Sequence, residues 1–403
     1  MGYLVGVVGK PNVGKSTFFS AATMATVPIA AYPFTTIKPN RGVGYVRVQC
    51  VCRELGVDDE PVNSVCIDGV RFIPVELVDC AGLVPDAWRG RGLGNKFLDE
   101  IMTANALIHV VDASGGTDVE GRVCEPGTHD PVEDIKFLDR ELDMWVLSIL
   151  KRDWEKVVRK PSLSREELLD AIFDRLSGLA IRRRHIKDGF KQSALDTDDY
   201  KNWSEDDLLS LVHAIRSIAK PMVIAANKID VQDSEENLPR IRALGYEVVP
   251  CSAEAELVLR RSEEKKMTDY KPGDSRFKIL EPERLTQEQL AALDKIQKVI
   301  LDIWGSTGVQ ESINSAFLRL LGMVVVYPVE DLEKLADHKG RVLPDAYLVP
   351  SKTTARELAA MIHSDLGRNF LYATEARSKM RVGDDYIVKD RDILSITSSA
   401  GRA

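Results

Sequence analysis

A phosphate-binding motif lies near the start of the sequence. The residues GKPNVGKS at positions 9–16 stand between an apolar strand pattern and a helix pattern. The glycines let such a loop wrap around phosphates, so that backbone N–H groups and the helix N-terminus face the negative charge. Lys15 is expected to contact the β- and γ-phosphates, Ser16 to ligate Mg²⁺ and Thr17 to donate to the α-phosphate. The loop residues expected to bind the nucleotide are Asn12, Val13, Gly14, Lys15, Ser16 and Thr17.

A strand pattern that ends in a carboxylate supplies a second motif. The apolar run 75–78 leads into Asp79, and Gly82 follows three residues later. A carboxylate at the end of such a strand can hold Mg²⁺ through water. Gly82 has no side chain, so its N–H can approach a γ-phosphate. Beside the phosphate-binding loop, this pair predicts a nucleoside triphosphate hydrolase.

A third motif distinguishes between the purine bases. The residues NKID at 227–230 follow the apolar strand pattern 222–226. The ionised carboxylate of Asp230 can only accept hydrogen bonds, and guanine offers it the N1–H and the exocyclic amine. Adenine presents a ring-nitrogen acceptor at that edge and would leave the carboxylate unpaired, so the motif predicts GTP. Asn227 is expected to bond the base and brace the phosphate-binding loop, and Lys228 to lie over the purine face.

A short polar segment after the next strand pattern completes the predicted base site. Ser252 and Ala253 follow the run 247–249. We expect the backbone N–H groups there, chiefly that of Ala253, to donate to guanine O6. The three motifs in this order predict binding of GTP and GDP.

The order and wording of these motifs resemble the Obg-like translation-factor class of GTPases, and especially its YchF branch. The segment AYPFTTIKPN at 31–40 resembles the first switch of that class. The resemblance implies that Thr36 meets Mg²⁺ and the γ-phosphate, with Thr35 as the alternative. It also implies a helical insertion, a C-terminal TGS domain of β-grasp fold, and a link to ribosomes. Typical YchF proteins end the base-reading motif in Glu and accept ATP, so Asp230 favours a GTP-specific relative.

The residue after Gly82 weakens the expected catalysis. Many small GTPases carry there a glutamine that orients the attacking water, and this chain has Leu83. The switch backbone, a partner or a bound K⁺ could replace that group. Asn12 stands where K⁺-using relatives carry an asparagine ligand, although an asparagine in a tight loop also favours a turn. The candidate catalytic residues are Asn12, Lys15, Thr36 and Gly82, and the candidate metal ligands are Ser16, Thr36 and Asp79.

The pattern of elements predicts an α/β fold with a doubly wound sheet. Strand patterns occur at 4–8, 43–48, 75–78, 107–111 and 222–226, and a helix pattern at 15–23 follows the first of them. Helix patterns fill the charged stretch between the fourth and fifth strands, at 133–158, 165–177 and 205–219, and a further one covers 287–303. Capping-box patterns open helices after Ser164, Ser204, Thr286 and Thr354. Beyond residue 320, strand patterns at 323–327, 346–349, 386–388 and 393–396 enclose a helix from 354 to about 366.

These patterns divide the chain into three predicted parts. Residues 1–124 and 216–320 are expected to form the GTP-binding domain with C-terminal helices. Residues 125–215 would be an inserted helical subdomain, and residues 321–403 a small α+β domain like TGS.

Composition excludes several classes of protein. The 403 residues carry a net charge of −8, which argues against a protein that coats nucleic acid, and no DNA partner is expected. No apolar run reaches the roughly 20 residues that a membrane helix needs, so we expect a cytoplasmic protein with no membrane contact. The six cysteines form no C-x-x-C pair, which favours reduced thiols. Cys50 and Cys52 could share one face of a strand, but a zinc site would need two further ligands nearby.

Two basic stretches stand out against this acidic average. The first covers 182–191, and the second covers 339–381, where eight Lys or Arg oppose four acids, a local balance of 8 − 4 = +4. Either could meet an RNA backbone, and either could equally be ordinary solvated surface. The sequence therefore predicts a slowly hydrolysing GTP switch on ribosomes or other RNA. A nucleotide-gated scaffold with negligible turnover and an ATPase of the YchF type are the alternatives, and a small-metabolite kinase is the least favoured.

Overall fold

The computed structural model describes residues 3–24, 40–80, 82, 87–89, 98, 101–152, 154–160, 162–399 and 401–402. These residues belong to two compact units. The first unit comprises residues 1–23, 39–42 and 76–312, and the second comprises residues 24–38, 43–75 and 313–403. This division into two units does not test the predicted division into three parts, which stays a proposal.

A largely parallel sheet forms the centre of the first unit. Its strands are β1 (Leu4–Val8), β2 (Arg41–Gln49), β3 (Val65–Ile67), β4 (Val70–Asp79), β5 (Ala106–Asp112), β6 (Met222–Asn227) and β7 (Glu247–Pro250). Among the described residues the strand order is β2-β4-β1-β5-β6-β7, with β3 antiparallel on β4. The strand β3 belongs wholly to the second unit, and β2 and β4 each extend into it. The strands β1, β5 and β6 are buried along their whole length and are almost wholly apolar, as expected for the centre of a parallel sheet. The predicted doubly wound fold is confirmed.

Helices follow the strands and fill the long connection before β6. The helix α1 (Lys15–Thr23) follows β1, and α2 (Val51–Leu55) follows β2. The connection between β5 and β6 contains α3 (Pro131–Lys151), α4 (Trp154–Val158), α5 (Arg165–Leu176), α6 (Arg183–Ser193) and α7 (Glu205–Ala219). The capping boxes predicted at Ser164 and Ser204 are both formed. The apolar faces of α3 to α7 share one buried core with the neighbouring strands.

A second group of helices lies at the end of the first unit, and the last of them extends into the second unit. They and their short connecting strands are α8 (Leu238–Arg242), α9 (Ala253–Glu264), β8 (Thr268–Asp269), β9 (Lys278–Ile279), α10 (Gln287–Lys295), α11 (Asp302–Trp304) and α12 (Val309–Asn314). A π-helical stretch, Ile296–Leu301, joins α10 to α11, so the predicted helix 287–303 is present with a wider turn in its middle. Thr286 forms the predicted capping box.

The second unit contains a mixed sheet and a capped helix. Its elements are β10 (Met323–Pro328), β11 (Tyr347–Pro350), α13 (Ala355–Ile362), α14 (Ser364–Arg368), β12 (Phe370–Glu375), β13 (Arg381–Val382), β14 (Ile393–Ser398) and β15 (Gly401–Arg402). The described strands follow the order β11-β10-β14-β12-β13, with β15 on β14. The pair β10 and β14 is parallel and the other pairs are antiparallel. Thr354 caps α13 as predicted.

The C-terminal prediction differs from the structure in two strands and in one helix. The predicted strand 386–388 makes only an isolated bridge between Thr354 and Ile387, because its backbone bonds to the segment that begins α13 instead of to a strand. The strand β12 was not predicted. The predicted helix 354–366 is interrupted at His363, whose extended backbone separates α13 from α14.

Within the described residues, no helix combines the length and the apolar character that crossing a bilayer requires.

Candidate nucleotide-binding site

Lys15 and Asp79 form an ion pair at the carboxyl edge of the sheet. Lys15 is the first residue of α1, and Asp79 is the last residue of β4. Their side chains are in contact, and 24% of the Asp79 side chain is exposed. Ser16, next to Lys15, is exposed at the same helix start. The hydroxyl of Ser16 and the carboxylate of Asp79 are oxygen ligands of the kind that Mg²⁺ prefers, so both residues fit the ion that the family resemblance implies.

The side chain of Asn227 ties the phosphate-binding loop to the predicted base-reading segment. Its amide nitrogen donates to the backbone oxygen of Val13 at 2.8 Å, and its oxygen accepts from the N–H of Ala253 at 2.9 Å. Asn227 is 3% exposed. The predicted brace on the loop is thus present. The Ala253 N–H is engaged in it, so the proposed bond to guanine O6 would have to be shared with Asn227.

Gly14 makes that brace sterically possible. Its φ is +91°, and a Cβ at this position would lie 2.3 Å from the amide nitrogen of Asn227. A larger residue would therefore be strained in its backbone and would displace the asparagine. At the other end of the brace, Ser252 caps α9 by accepting from the N–H of Ala255 at 3.4 Å.

Lys228 and Asp230 follow β6 in the predicted base-reading segment. Lys228 has a left-handed backbone, with φ of 64°, and its ammonium donates to Asp112 at 2.7 Å. Asp112 ends β5 and lies opposite Asn227 in the sheet register, and its side chain is fully buried. Asp230 is half-buried. Asp112 is not among the residues predicted from sequence, although it ends a parallel strand just as Asp79 and Asn227 do.

Hydrogen bonds from Lys10 join the phosphate-binding loop to the loop between β5 and α3. The Lys10 ammonium donates at 2.8 Å to the backbone oxygens of Thr117 and Asp118 and to the carboxylate of Asp134. Lys10 is 5% exposed. Burial raises the pKa of Asp134, although its contacts with Lys10 and His129 act in the opposite direction. This role of Asp134 was not predicted from sequence, because an acid in the first turn of a helix is common and does not point to a distant partner.

Asn12 forms a second link to the same loop. Its amide nitrogen donates to the backbone oxygen of Gly121 at 2.8 Å, and its φ is 62°. The left-handed backbone agrees with the turn-forming interpretation of this asparagine. A role as a K⁺ ligand would fall to its side-chain oxygen and stays a prediction.

The switch residues are only partly described. Thr35, Thr36 and Leu83 lie outside the described residues. Gly82 is exposed, and a Cβ there would lie 3.2 Å from the ring of Pro11. The predicted roles of Thr36 and Gly82 therefore stay predictions.

Many cations of the two basic stretches already have acidic partners. In 182–191, Arg183 pairs with Asp170 and Lys191 with Asp188. In 339–381, the pairs are Arg341 with Asp337, Arg356 with Asp384, and Arg377 with Glu54. These partners reduce the positive field that either stretch offers to RNA.

Models of known families match most of the chain. A model described as "50S ribosome-binding GTPase" matches residues 4–149. One described as "Obg-like GTPase YGR210-like, G4 motif-containing domain" matches residues 225–331, and the TGS domain model matches residues 339–398.

Relatives are similar to the chain over nearly its whole length. A GTP-binding protein of Methanocaldococcus jannaschii is 49% identical, covering 98% of this chain and 99% of its own length. A protein of Bacillus subtilis named ribosome-binding ATPase YchF is 28% identical, covering 98% of both chains. A GTP-binding protein from Pyrococcus horikoshii has a crystal structure that matches this one with a TM-score of 0.77. Its sequence is 40% identical, and the match covers 99% of this chain and 100% of that chain.

Proposed function

Because this chain belongs to the Obg-like family of P-loop GTP-binding proteins with a C-terminal TGS domain, we propose that it hydrolyses GTP to GDP and phosphate as a molecular switch. The observation that carries the proposal is the Asn227 brace between Val13 and Ala253. A P-loop needs no such brace to bind phosphate. A site that must read a base and a phosphate chain together needs its two loops held in register.

Asp230 supplies the proposed preference for guanine. Its carboxylate accepts from the two donors on the guanine edge, whereas adenine offers a lone pair there. Lys15 exchanges its contact with Asp79 for the β- and γ-phosphates, which frees the Asp79 carboxylate. Ser16, Asp79 and, by the family resemblance, Thr36 would hold Mg²⁺, which would neutralise charge on the phosphate oxygens. Positioning and electrostatics then supply nearly all the catalysis.

Turnover is proposed to be slow, because Leu83 cannot orient water. The long lifetime of the GTP state suits a switch that reports which nucleotide is bound. A nucleotide-gated scaffold with negligible turnover is the second candidate, and Leu83 favours it. An ATPase is the third, since several relatives carry that name.

A multiple-turnover assay tests these candidates. We expect slow, Mg²⁺-dependent release of more than one phosphate per chain from GTP, and a much weaker reaction with ATP. Release that stops at or below one phosphate per chain would favour the scaffold, and equal rates with ATP would remove the guanine preference.

The same assay in KCl and in NaCl tests the proposed K⁺. If the Asn12 oxygen ligates K⁺, turnover is faster in KCl, and Asn12→Ala loses that advantage. Equal rates in the two salts would exclude K⁺ assistance. Binding of a fluorescent GDP analogue to both proteins shows whether Asn12→Ala still folds and binds nucleotide.

The ribosome is the proposed partner. Relatives named ribosome-binding ATPases and a matching model of ribosome-binding GTPases support it. Nucleotide-dependent affinity for ribosomes is the expected readout of the switch.

A further inference from the structure

Three cysteines and an aspartate meet at one point of the second unit. Cys50 precedes α2 and occupies its N-cap, Cys52 lies in the first turn of α2, and Cys66 lies in β3. Asp59 belongs to the loop between α2 and β3. The sulfur atoms and one carboxylate oxygen all lie within 4.8 Å of one another. The expectation that Cys50 and Cys52 share a strand face is wrong, because the chain turns into α2 at Cys50, and this turn brings the two missing ligands within reach.

The spacing of these four atoms suits one tetrahedral ion. The sulfurs of Cys52 and Cys66 are 3.9 Å apart, and the sulfur of Cys50 is 3.1 Å from the Asp59 carboxylate. Zinc–sulfur bonds of about 2.3 Å at tetrahedral angles put two sulfurs roughly 3.8 Å apart. Thiolates with one carboxylate match the ligand types of zinc, whereas Ca²⁺ and Mg²⁺ prefer oxygen alone.

The surroundings of the cluster compensate negative charge. The guanidinium of Arg71, whose side chain is fully buried, donates to Asp59 at 2.6 Å. Arg71 also donates to Ser64 at 2.8 Å and to the backbone oxygen of Leu343 at 2.7 Å, so its position is fixed. An anchored partner of this kind orients a ligating carboxylate.

A buried hydroxyl lies next to the cluster. The Tyr327 side chain is fully buried, and its hydroxyl, beside Cys50, makes no hydrogen bond of ordinary geometry among the described residues. Buried donors usually have partners, and a thiolate at Cys50 would supply one.

We propose that Cys50, Cys52, Asp59 and Cys66 bind a single zinc ion. Three thiolates and one carboxylate carry a charge of −4, which Zn²⁺ and Arg71 reduce to −1. Four protein ligands leave no open position, so the ion is structural and not catalytic. It joins the end of β2, α2, the following loop and β3, and binding releases the protons of the thiols that were protonated.

The metal content of tag-free, full-length protein tests this site. Elemental analysis by inductively coupled plasma mass spectrometry should find about one zinc per chain. Cys66→Ser and Cys52→Ser should lose most of it, because each removes a ligand. Cys124→Ser should keep it, because Cys124 lies in the loop between β5 and α3 and is not part of the cluster.

Cobalt separates ligand loss from misfolding. Wild-type protein stripped of metal and given Co²⁺ should show thiolate-to-cobalt charge transfer and the strong visible bands of a tetrahedral site. Asp59→Asn keeps the shape of the side chain and all three thiols, and should weaken Co²⁺ binding by about tenfold or more while the charge-transfer band persists.

Three results would overturn the proposal. They are wild-type protein without zinc and without a cobalt spectrum, a Cys52–Cys66 disulfide in the protein as isolated, or equal zinc content in Cys66→Ser and Cys124→Ser. Because none of these readouts depends on nucleotide hydrolysis, the site can fail while the proposed function stands.

Discussion

The proposed guanine preference depends on the carboxylate of Asp230. Asp230→Asn replaces one acceptor oxygen with a donor that faces the donors of guanine. A lost charge-assisted bond is worth about 1.5–3 kcal/mol, so GTP affinity should fall roughly 10- to 150-fold. Xanthine carries an oxygen where guanine carries its amine, and the variant should bind xanthosine nucleotides better than wild type does. Competition against a fluorescent GDP analogue measures the affinities of both proteins for GTP and for the xanthosine nucleotides.

Asp233→Asn is the matched control for that experiment. It makes the same change of charge three residues away, at an exposed position whose φ of 63° suits asparagine as well as aspartate. It should leave the preference for GTP intact. Equal losses in the two variants would assign the effect to net charge and would remove Asp230 from base recognition.

His109 makes the stability of the first unit depend on pH. It lies inside β5 and is 3% exposed, and burial, together with nearby Lys10, lowers its pKa to about 3. The unfolded chain takes up a proton on this histidine below about pH 6.5, whereas the folded chain stays neutral until about pH 3. Its contribution to the free energy of unfolding therefore falls as pH drops through this window, by at most about 1.4 kcal/mol per pH unit.

The variant His109→Leu removes this titration and should flatten the pH dependence. Urea midpoints measured from pH 7 to pH 4.5 should fall less steeply than in wild type. Asp134, whose raised pKa has the opposite effect, is present in both proteins, so its contribution largely cancels in the comparison. An exposed-histidine control, His338→Gln, should keep the wild-type slope, and a slope unchanged in His109→Leu would contradict the prediction.

At the scale of elements, the loop between β5 and α3 is expected to hold the phosphate-binding loop in its binding conformation. Gly121 of that loop has φ of +78°, and a Cβ there would lie 2.7 Å from the backbone oxygen of Pro11. Gly121→Ala should therefore push the two loops apart, weaken GTP binding by tenfold or more, which is about 1.4 kcal/mol, and speed amide exchange in residues 9–16.

Gly127→Ala offers a closely matched control in the same loop. Gly127 has φ of +79°, but no atom lies within 4 Å of its virtual Cβ. The substitution adds the same backbone strain, about 1 kcal/mol, without the collision. It should lower stability slightly and leave GTP affinity near the wild-type value. Equal affinities in the two alanine variants would mean that the contact with Pro11 does not support the nucleotide site.

The elements were easier to predict from sequence than the contacts between them. Apolar strands such as Leu4–Val8 and capping boxes such as that at Ser164 are local patterns, and the structure confirms them. The link from Lys10 to Asp134 joins residues 124 positions apart and has no local pattern. The metal-ligand cluster also escaped prediction, because Asp59 and Cys66 approach Cys50 only through the turn into α2. The strand prediction at 386–388 is wrong because this segment bonds to the residues that begin α13 and has no strand as its partner there.

At the scale of the whole molecule, the average charge is acidic, so a contact with RNA depends on local groups of exposed cations. Within 339–381, Lys339 and Lys352 are exposed, and no ion pair involves either among the described residues. If this stretch contacts the ribosome, these two lysines should carry a larger share of the contact than the paired arginines. Each phosphate contact that they make releases counterions, so binding should weaken steeply with salt.

Co-sedimentation with ribosomes at graded KCl measures that contribution. The double variant Lys339→Glu, Lys352→Glu should bind more weakly, and the slope of log affinity against log salt should fall by about two, one for each lost phosphate contact. The control Lys136→Glu, Lys298→Glu makes the same change of charge on two helix surfaces outside both basic stretches and should keep the wild-type slope. A non-hydrolysable GTP analogue and GDP should give different affinities in wild type, because a switch must couple nucleotide to partner. Identical affinities with the two nucleotides would contradict the switch, whereas an unchanged slope in the double variant would move the contact away from 339–381.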